Sequence, residues 1–151
     1  MKIAIASDHR GFRCKELIKS FLTAAGHTVQ DFGCNGSASC DYPDHAFAGA
    51  KAVAAGQCDR GILFCGTGIG MSVSANKVSG IRAALCHDEL TAEMSRRHNN
   101  ANILCIPADL LGDELLRRVV DIWIRTDYEG GRHDRRLQKI AEFENGRMKN
   151  K

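Results

Sequence analysis

Two hydrophobic patterns alternate along the 151 residues of the chain. Short apolar runs that suit buried strands occupy residues 2–6, 28–32, 60–64, 81–86 and 101–106. Apolar residues at helical spacing lie between them, from Leu17 to Ala25, over 44–55 and 71–77, from Asp88 to His98, from Leu115 to Trp123, and after Gly131. Strands and helices that alternate in this way form βαβ units, whose parallel sheet is covered on both faces. We therefore predict an α/β fold with a five-stranded parallel sheet, in a single domain over residues 1–151.

Composition and the order of residues narrow the class of protein. Hydrophobic residues make up 44% of the chain and charged residues 26%, which is ordinary for a folded domain and argues against disorder. The apolar runs are far shorter than the ~20 residues of a membrane span. The N-terminus turns polar too soon for a signal peptide. We expect a cytoplasmic protein with no membrane partner.

The seven cysteines show no CxxC spacing, which zinc sites and thioredoxin-like sites commonly use. Their number is odd and no export signal precedes them, so we expect reduced thiols and no metal site. Most of them are expected to pack as small buried residues.

The net charge of +3 comes from the C-terminal end of the chain. Residues 1–124 hold 13 basic and 13 acidic side chains, whereas the helix and basic tail within 125–151 hold 8 and 5. A basic tail can bind nucleic acid, but this one is short, contains acids and has few aromatic residues. It fits a small anionic ligand or a solvated helix better, so no nucleic-acid partner is expected.

Polar and charged residues follow the predicted strands at their carboxyl ends. Asp8-His9, Tyr42, the segment Cys65–Gly70 and His87-Asp88 all fall just past those ends or in the connecting loops. Ligands of parallel α/β sheets bind at that edge. This placement predicts a functional site there.

The segment Cys65-Gly66-Thr67-Gly68-Ile69-Gly70 is the sharpest local feature. Its three glycines let the backbone turn tightly and approach a ligand, and successive N–H groups ahead of a helix attract negative charge. The same field favours the thiolate of Cys65, which can then accept a proton. The alternative is a packed thiol followed by a simple turn. A nucleotide is weakly supported, because the segment lacks the Gly-Lys-Ser/Thr of a P-loop and Met71 breaks the dinucleotide pattern.

Asp8 and His9 close the first predicted strand. A strand-end carboxylate beside an imidazole suits the binding of hydroxyl groups. Tyr42 could hold its loop over the site or only pack that loop.

Two further pairs of residues lie near the ends of predicted helices. His98 and Asn99 end the fourth helix, where a histidine is often a favourable contact with the helix dipole. Arg132 and Arg136 are spaced i and i+4, so they share a helix face on which two guanidinium groups suit a phosphate. Exposed arginines taken singly are usually only solvated.

Taken together, these segments resemble one known family. Ser-Asp-His, Asp-Tyr-Pro, Cys-Gly-Thr-Gly-Ile-Gly, Ala-Asn-Lys, Gly-Ile-Arg-Ala, His-Asn-Asn-Ala-Asn and Tyr-Glu-Gly-Gly-Arg-His occur in this order between Lys2 and about Phe143. The chain is similar to the ribose-5-phosphate isomerase B family, which includes galactose-6-phosphate isomerase subunits. The resemblance implies a Rossmann-like three-layer α/β fold, and homodimers or tetramers with sites at the interface.

This family interconverts aldose and ketose sugar phosphates without a metal or organic cofactor. The resemblance makes Cys65 the group that moves a proton between C1 and C2. It makes Thr67 and the amides of Gly66–Gly70 the donors that hold the enediolate. It also implies that Asp8 and His9 contact the sugar or its phosphate.

The resemblance assigns the remaining roles to residues from the second half of the chain, with Tyr42 lining the pocket. His98 is implied to be the acid that assists ring opening, and Asn99 to orient the reacting end of the sugar. Both are expected to reach across a dimer interface. Arg132 and Arg136 are implied to clamp the phosphate.

Two positions depart from the family pattern. Some relatives use a glutamate base at the position of Met71, so Cys65 has to be the base here. Many relatives carry an arginine where this chain has Asp109, and an acid that faces the site would repel a phosphate. Asp109 therefore either points away or marks a pocket for a different or longer sugar phosphate.

The function predicted from the sequence is interconversion of ribose 5-phosphate and ribulose 5-phosphate through an enediolate. An isomerase of a hexose 6-phosphate, such as allose or galactose 6-phosphate, is an alternative with the same chemistry. A non-catalytic sensor of sugar phosphates or nucleotides and a thiol redox protein are alternatives of other classes.

Overall fold

The computed structural model describes residues 1–146. Its strands are β1 Lys2–Ser7, β2 Thr28–Asp31, β3 Arg60–Cys65, β4 Ala83–Leu85 and β5 Ile103–Pro107. Its α-helices are α1 Phe12–Ala24, α2 Tyr42–Ala54, α3 Ile69–Ala75, α4 Glu89–Arg97, α5 Asp113–Arg125 and α6 Asp134–Glu144, with a 3₁₀ turn at Gly131–His133. None of the helices in this described range has the length and apolar content needed to span a membrane. Of the C-terminal helix and basic tail predicted over 131–151, residues 147–151 lie outside the described residues.

The strands pair in parallel in the order β2-β1-β3-β5-β4. β3 is therefore central, with β1 and β5 as its neighbours. The register places Ser7 beside Phe64, and Cys65 at the end of β3 beside Pro107 of β5. The chain adds β2 on one side of β1 and the later strands on the other, which creates a switch point at the carboxyl edge between β1 and β3. The five-stranded parallel sheet predicted from the sequence is confirmed.

Alternate side chains of the central strands enter two separate cores. On one face Ile3 and Ile5 pack with residues of α1, α4 and α5, among them the fully buried Trp123. On the other face Ala6 and Leu63 pack with residues of α2 and α3. Burial on both faces explains why these strands are apolar throughout rather than alternating with polar residues. The three-layer α/β fold is confirmed.

Most element boundaries differ from the sequence prediction by one or two residues, and two of these differences have a local explanation. α2 begins at Tyr42 rather than at residue 44, with Pro43 in its first turn. Proline is accepted there because the first N–H groups of a helix have no partner within the helix. β4 is reduced from the predicted 81–86 to Ala83–Leu85. Just before it, the N–H of Arg82 donates to the side-chain oxygen of Asn102 at 2.8 Å instead of to a neighbouring strand.

The last helix begins later than predicted and separates two arginines. Arg132 lies in the 3₁₀ turn, whereas Arg136 lies in α6. Gly130 and Gly131 turn the chain ahead of them with φ of +67° and +61°, angles that favour glycine. The prediction that both arginines lie on one α-helix is therefore wrong. They stay adjacent, since Nη1 of Arg136 donates to the carbonyl of Arg132 at 2.8 Å.

A buried lysine ties α1 to the end of β2. The Lys15 side chain is 0% exposed, and its Nζ donates hydrogen bonds of 2.8 Å to both carboxylate oxygens of Asp31 and to the carbonyl of Cys34. Burial alone would raise the pKa of Asp31, but hydrogen bonds from Lys15, Lys19 and the Gly33 N–H hold this pKa below its ordinary value. The carboxylate is therefore the counter-charge that Lys15 needs in order to be buried.

Asp31→Asn is expected to lower the free energy of unfolding by about 3–5 kcal/mol, because it leaves the buried ammonium with only the more exposed carboxylate of Glu16, at 3.3 Å, as counter-charge. Urea denaturation at neutral pH measures the loss. Since the pKa of Asp31 is lowered in the folded protein, its contribution is full at neutral pH. It is lost as the pH falls through the ordinary value toward the folded one.

The matched control is Asp113→Asn at the exposed Arg13–Asp113 pair. There the expected loss is much smaller than for Asp31→Asn, because solvent screens an exposed pair. Equal losses in the two variants would contradict the importance of burying Lys15.

Candidate active site

A cavity of about 240 Å³ opens at the carboxyl edge of the sheet, where β1, β3 and β5 end. Backbone hydrogen bonds fasten the loop after β5 to the loop after β3. They run from the N–H of Ala108 to the carbonyl of Cys65 (2.9 Å) and from the N–H of Asp109 to the carbonyl of Gly66 (3.0 Å). The residues that line the cavity are Asp8, Arg10, Tyr42, Cys65, Gly66, Thr67, Gly70 and Asp109.

Cys65 ends β3 with its side chain at this cavity. The residue is only 4% exposed, and Sγ accepts a hydrogen bond of 3.1 Å from the N–H of Gly68. A donor in this position stabilises negative charge on the sulfur. Gly68 has a φ of +73°, and a Cβ there would lie 2.4 Å from Cδ1 of Leu85. Glycine at this position is therefore what allows the loop to present an N–H to the sulfur.

Some of the other residues of the glycine segment line the cavity, and others do not. Thr67 lines the cavity and is exposed. A Cβ at Gly70 would come within 2.8 Å of the Tyr42 ring, so glycine lets the ring pack directly against the segment. Ile69 is 55% exposed and, like Gly68, is not among the residues that line the cavity.

Asp8 lines the cavity and also organises its own loop. Its Oδ1 accepts hydrogen bonds of 2.9 Å from the N–H groups of Arg10 and Gly11, which fixes the backbone that leaves β1. His9 is not among the lining residues, and its Nδ1 accepts a hydrogen bond of 3.3 Å from the N–H of Cys40. The structure therefore places Asp8 at the cavity and His9 against the loop that follows β2.

Arg10 and Asp109 line the cavity, although sequence reasoning assigned neither of them to the site. Nε and Nη2 of Arg10 both donate to Oδ2 of Asp109, at 2.8 and 2.5 Å. Asp109 therefore faces the cavity with its charge paired. The available signal was position, because both residues follow the ends of strands that flank β3.

A second polar cluster lies where α4 ends beside the 3₁₀ turn. The rings of His98 and His133 stack with their centroids 4.4 Å apart, and Nε2 of each lies 3.7 Å from Oε2 of Glu129. Hydrogen bonds from Arg97 hold the pKa of Glu129 below its ordinary value, and burial lowers the pKa of His133. Imidazoles beside a carboxylate are suited to proton transfer.

The remaining residues that the sequence analysis assigned to the site lie beside this cluster or in other parts of the molecule. Nε of Arg132 donates to Nε2 of His133 at 3.4 Å, and Asn99 lines a separate cavity of about 290 Å³. Asp88, predicted near the site, caps α4 by accepting a hydrogen bond of 2.7 Å from the N–H of Thr91. In one chain the predicted residues thus form two groups. At the cavity are Asp8, Tyr42, Cys65, Gly66, Thr67 and Gly70, and away from it are His9, Gly68, Ile69, His98, Asn99, Arg132 and Arg136.

Two clusters within residues 1–146 bring three metal-ligating atoms within 4.8 Å of one another. Thiolate and imidazole ligands in such sets suit zinc or copper. Sequence reasoning named neither cluster, because their spacings differ from the CxxC pattern. The clusters are Cys34, Cys40 and His45, and His98, Glu129 and His133, and neither contributes a residue to the lining of the Cys65 cavity.

The sequence and the fold of this chain match those of a known family of isomerases. The chain matches the Ribose/Galactose Isomerase family over residues 3–140. It is 44% identical over 146 residues to ribose-5-phosphate isomerase B of Escherichia coli (strain K12), covering 97% of this chain and 98% of that protein. The chain belongs to the ribose/galactose isomerase family, as the resemblance in the sequence predicted.

Solved structures agree with this assignment. Ribose-5-phosphate isomerase B of Clostridium thermocellum has a TM-score of 0.96 and 49% identity, over 98% of this chain and 100% of that one. The enzyme of Mycoplasma genitalium with bound ribulose-5-phosphate has a TM-score of 0.91 and 43% identity, over 95% and 96% of the two chains. The fold is therefore shared along nearly the whole chain.

Proposed function

We propose that this protein interconverts ribose 5-phosphate and ribulose 5-phosphate, as an aldose–ketose isomerase that needs no metal or organic cofactor. The observation that carries the proposal is the Cys65 thiol, which lines the cavity and accepts a hydrogen bond from the Gly68 N–H. The names of the Escherichia coli and Clostridium thermocellum relatives support the substrate, as does the ribulose-5-phosphate bound to the Mycoplasma genitalium protein. A location in the cytoplasm stays a prediction of the sequence.

In this mechanism the thiolate of Cys65 takes the proton from C2 of the open-chain aldose. The electron pair of the C2–H bond forms the C1–C2 double bond, and O1 becomes the charged oxygen of an enediolate. Thr67 and the amides of Gly66–Gly70, except that of Gly68, which donates to Sγ, donate to this oxygen. One such donor is worth about 2.7–4 kcal/mol in a related role. Sγ then returns the proton to C1 while the O2 proton passes to O1, which yields the ketose. Asp8 and Tyr42 contact the sugar from the cavity wall.

Ring opening needs an acid near the ring oxygen, and His98 supplies it. The carboxylate of Glu129 lies 3.7 Å from Nε2 of His98 and can orient the imidazole for this step. Asn99 orients the reacting end of the sugar, and Arg132 and Arg136 bind the phosphate. Binding energy from the phosphate positions the reacting carbons at the other end of the molecule.

We propose further that a second copy of the chain completes the site. Within the described residues, His98 and Arg132 do not line the Cys65 cavity of their own chain. Ile69 and Val73, one turn apart on α3 next to the glycine segment, are each 55% exposed. A second copy can cover this apolar surface and bring its own His98 cluster to the cavity. A homodimer is the smallest assembly that does so, and a tetramer would be a pair of such dimers.

The proposed function is tested by following ribulose 5-phosphate formation from ribose 5-phosphate with the purified protein and a chelator. We expect turnover, with kcat/KM at least about tenfold higher than for allose 6-phosphate or galactose 6-phosphate, because one extra carbon must fit the same pocket. A higher kcat/KM for a hexose phosphate would assign a hexose substrate instead. Binding of sugar phosphates without turnover would assign a sensor.

A further inference from the structure

The mouth of the Cys65 cavity holds one guanidinium group to which the mechanism above gives no role. Among the described residues that line the cavity, Arg10 is the one cationic side chain, beside the two carboxylates of Asp8 and Asp109. A sugar phosphate brings a dianionic group to this place. Arg10 is therefore the counter-charge that the chain itself offers at its own cavity.

Arg10 is held at both its backbone and its side chain. Its N–H donates to Oδ1 of Asp8 at 2.9 Å, while Nε and Nη2 donate to Oδ2 of Asp109 at 2.8 and 2.5 Å. No described residue accepts a hydrogen bond from its Nη1, and the side chain is 60% exposed. The guanidinium is thus positioned yet keeps donors free, so little conformational entropy remains to be lost when an anion binds.

The Arg10–Asp109 pair lies directly against the segment that carries Cys65. A Cβ at Gly66 would come 2.6 Å from Oδ2 of Asp109 and 2.7 Å from Nε of Arg10. Glycine at this position therefore lets the pair sit on the backbone next to the thiol. A ligand that reaches the thiol therefore has this pair beside it in the same cavity.

A second pair, between α1 and α5, shows what an ordinary surface ion pair looks like in this protein. Arg13 donates through Nη1 and Nη2 to both oxygens of Asp113, at 3.1 and 2.6 Å. It is 68% exposed and does not line the cavity. Arg13 donates to both oxygens of the Asp113 carboxylate. Arg10 donates to only one oxygen of Asp109, and its Nη1 donates to no described residue.

We propose that Arg10, held in place by Asp109, binds the phosphate of the substrate and makes the site selective for phosphorylated sugars. The inference rests on the proposed function and adds a specificity-determining residue to it. A guanidinium presents its donors in a plane that matches two phosphate oxygens. Asp109 is a positioning residue, because it directs this plane without contacting the substrate.

The test compares the full-length wild type with Arg10→Ala, Asp109→Ala and the double variant. Arg10→Ala is expected to raise the calorimetric Kd of inorganic phosphate and the KM of ribose 5-phosphate about tenfold, with little change in kcat, because a charge-assisted contact is lost. Both constants are expected to rise again when Arg10→Ala is introduced into Asp109→Ala. The matched control is Arg13→Ala, for which Kd and KM are expected to equal those of the wild type.

A double variant with the Kd and KM of the wild type would mean that Arg10 only neutralises Asp109, and it would overturn the inference. A raised KM with an unchanged Kd for inorganic phosphate would also overturn it, because Arg10 would then contact the hydroxyl groups of the sugar instead of its phosphate. The calorimetric Kd needs no turnover. Phosphate binding through Arg10 in a protein that does not isomerise ribose 5-phosphate would therefore refute the proposed function and leave this inference standing.

Discussion

Cys65→Ala is expected to lower kcat for ribose 5-phosphate by about 10²–10⁴-fold, the range that a positioned proton acceptor contributes. The methyl group of alanine cannot take the C2 proton. KM is expected to stay near the wild-type value, because Arg10, Thr67 and Tyr42 keep their places at the cavity. A coupled assay for ribulose 5-phosphate measures both constants.

The matched control for this variant is Cys58→Ala. Cys58 is also buried, at 2% exposure, and its thiol contacts the side-chain oxygen of Gln30 rather than the cavity. Cys58→Ala also removes the sulfur of a buried cysteine, but this sulfur does not line the cavity. The activity of this variant is therefore expected to match that of the wild type. Circular dichroism and urea denaturation check that both variants are folded. Full activity in folded Cys65→Ala would remove the thiol from the mechanism.

Mixing Cys65→Ala with His98→Ala is expected to restore activity that each variant lacks alone. If the subunits exchange at random, about half of the dimers contain one copy of each variant, and about a quarter of all sites are intact. In such a dimer one site combines a native Cys65 with a native His98 from the other copy. The second site lacks both groups. Activity is therefore expected to reach about a quarter of the wild-type value.

Subunit exchange is verified by native mass spectrometry of differently tagged copies. The negative control mixes Cys65→Ala with the double variant Cys65→Ala/His98→Ala, because no pairing of these chains contains a native Cys65. A mixture that holds heterodimers but is as inactive as its components would contradict a site shared between two copies.

The sheet could be predicted because its central strands are buried on both faces. Ile3, Ala4, Ile5 and Ala6 are each 0% exposed, and this produces the uninterrupted apolar run that marks a parallel strand. The position of the functional site at the carboxyl edge of the sheet then followed from the fold class alone. The cavity at Cys65 therefore lies where the sequence placed the functional site.

The contacts at that edge could not be predicted, because they depend on the order of the strands. Arg10 and Asp109 are 99 residues apart and meet only because β1 and β5 flank β3. The family resemblance allowed Asp109 to point away or to alter the substrate preference. The structure shows that Asp109 faces the cavity, so the prediction that it points away is wrong, and that its charge is paired with Arg10.

The separation of His98 from the cavity also depends on contacts between residues that are far apart in the sequence. Its neighbours Glu129 and His133 belong to the turn before α6, which packs beside the end of α4 and not over β3. A hydrophobic pattern reports which residues are buried in one chain. It carries no information on which surface a second copy covers.

The central chemical step is the transfer of a proton between C2 and C1 by the Cys65 thiol. In deuterium oxide this thiol exchanges with solvent, so each turnover can deliver deuterium to carbon. With the wild type, nuclear magnetic resonance is expected to show deuterium at C2 of ribose 5-phosphate and at C1 of ribulose 5-phosphate. With Cys65→Ala it is expected to show none over the same time. Deuterium incorporation by Cys65→Ala at the wild-type rate would contradict proton transfer by this residue.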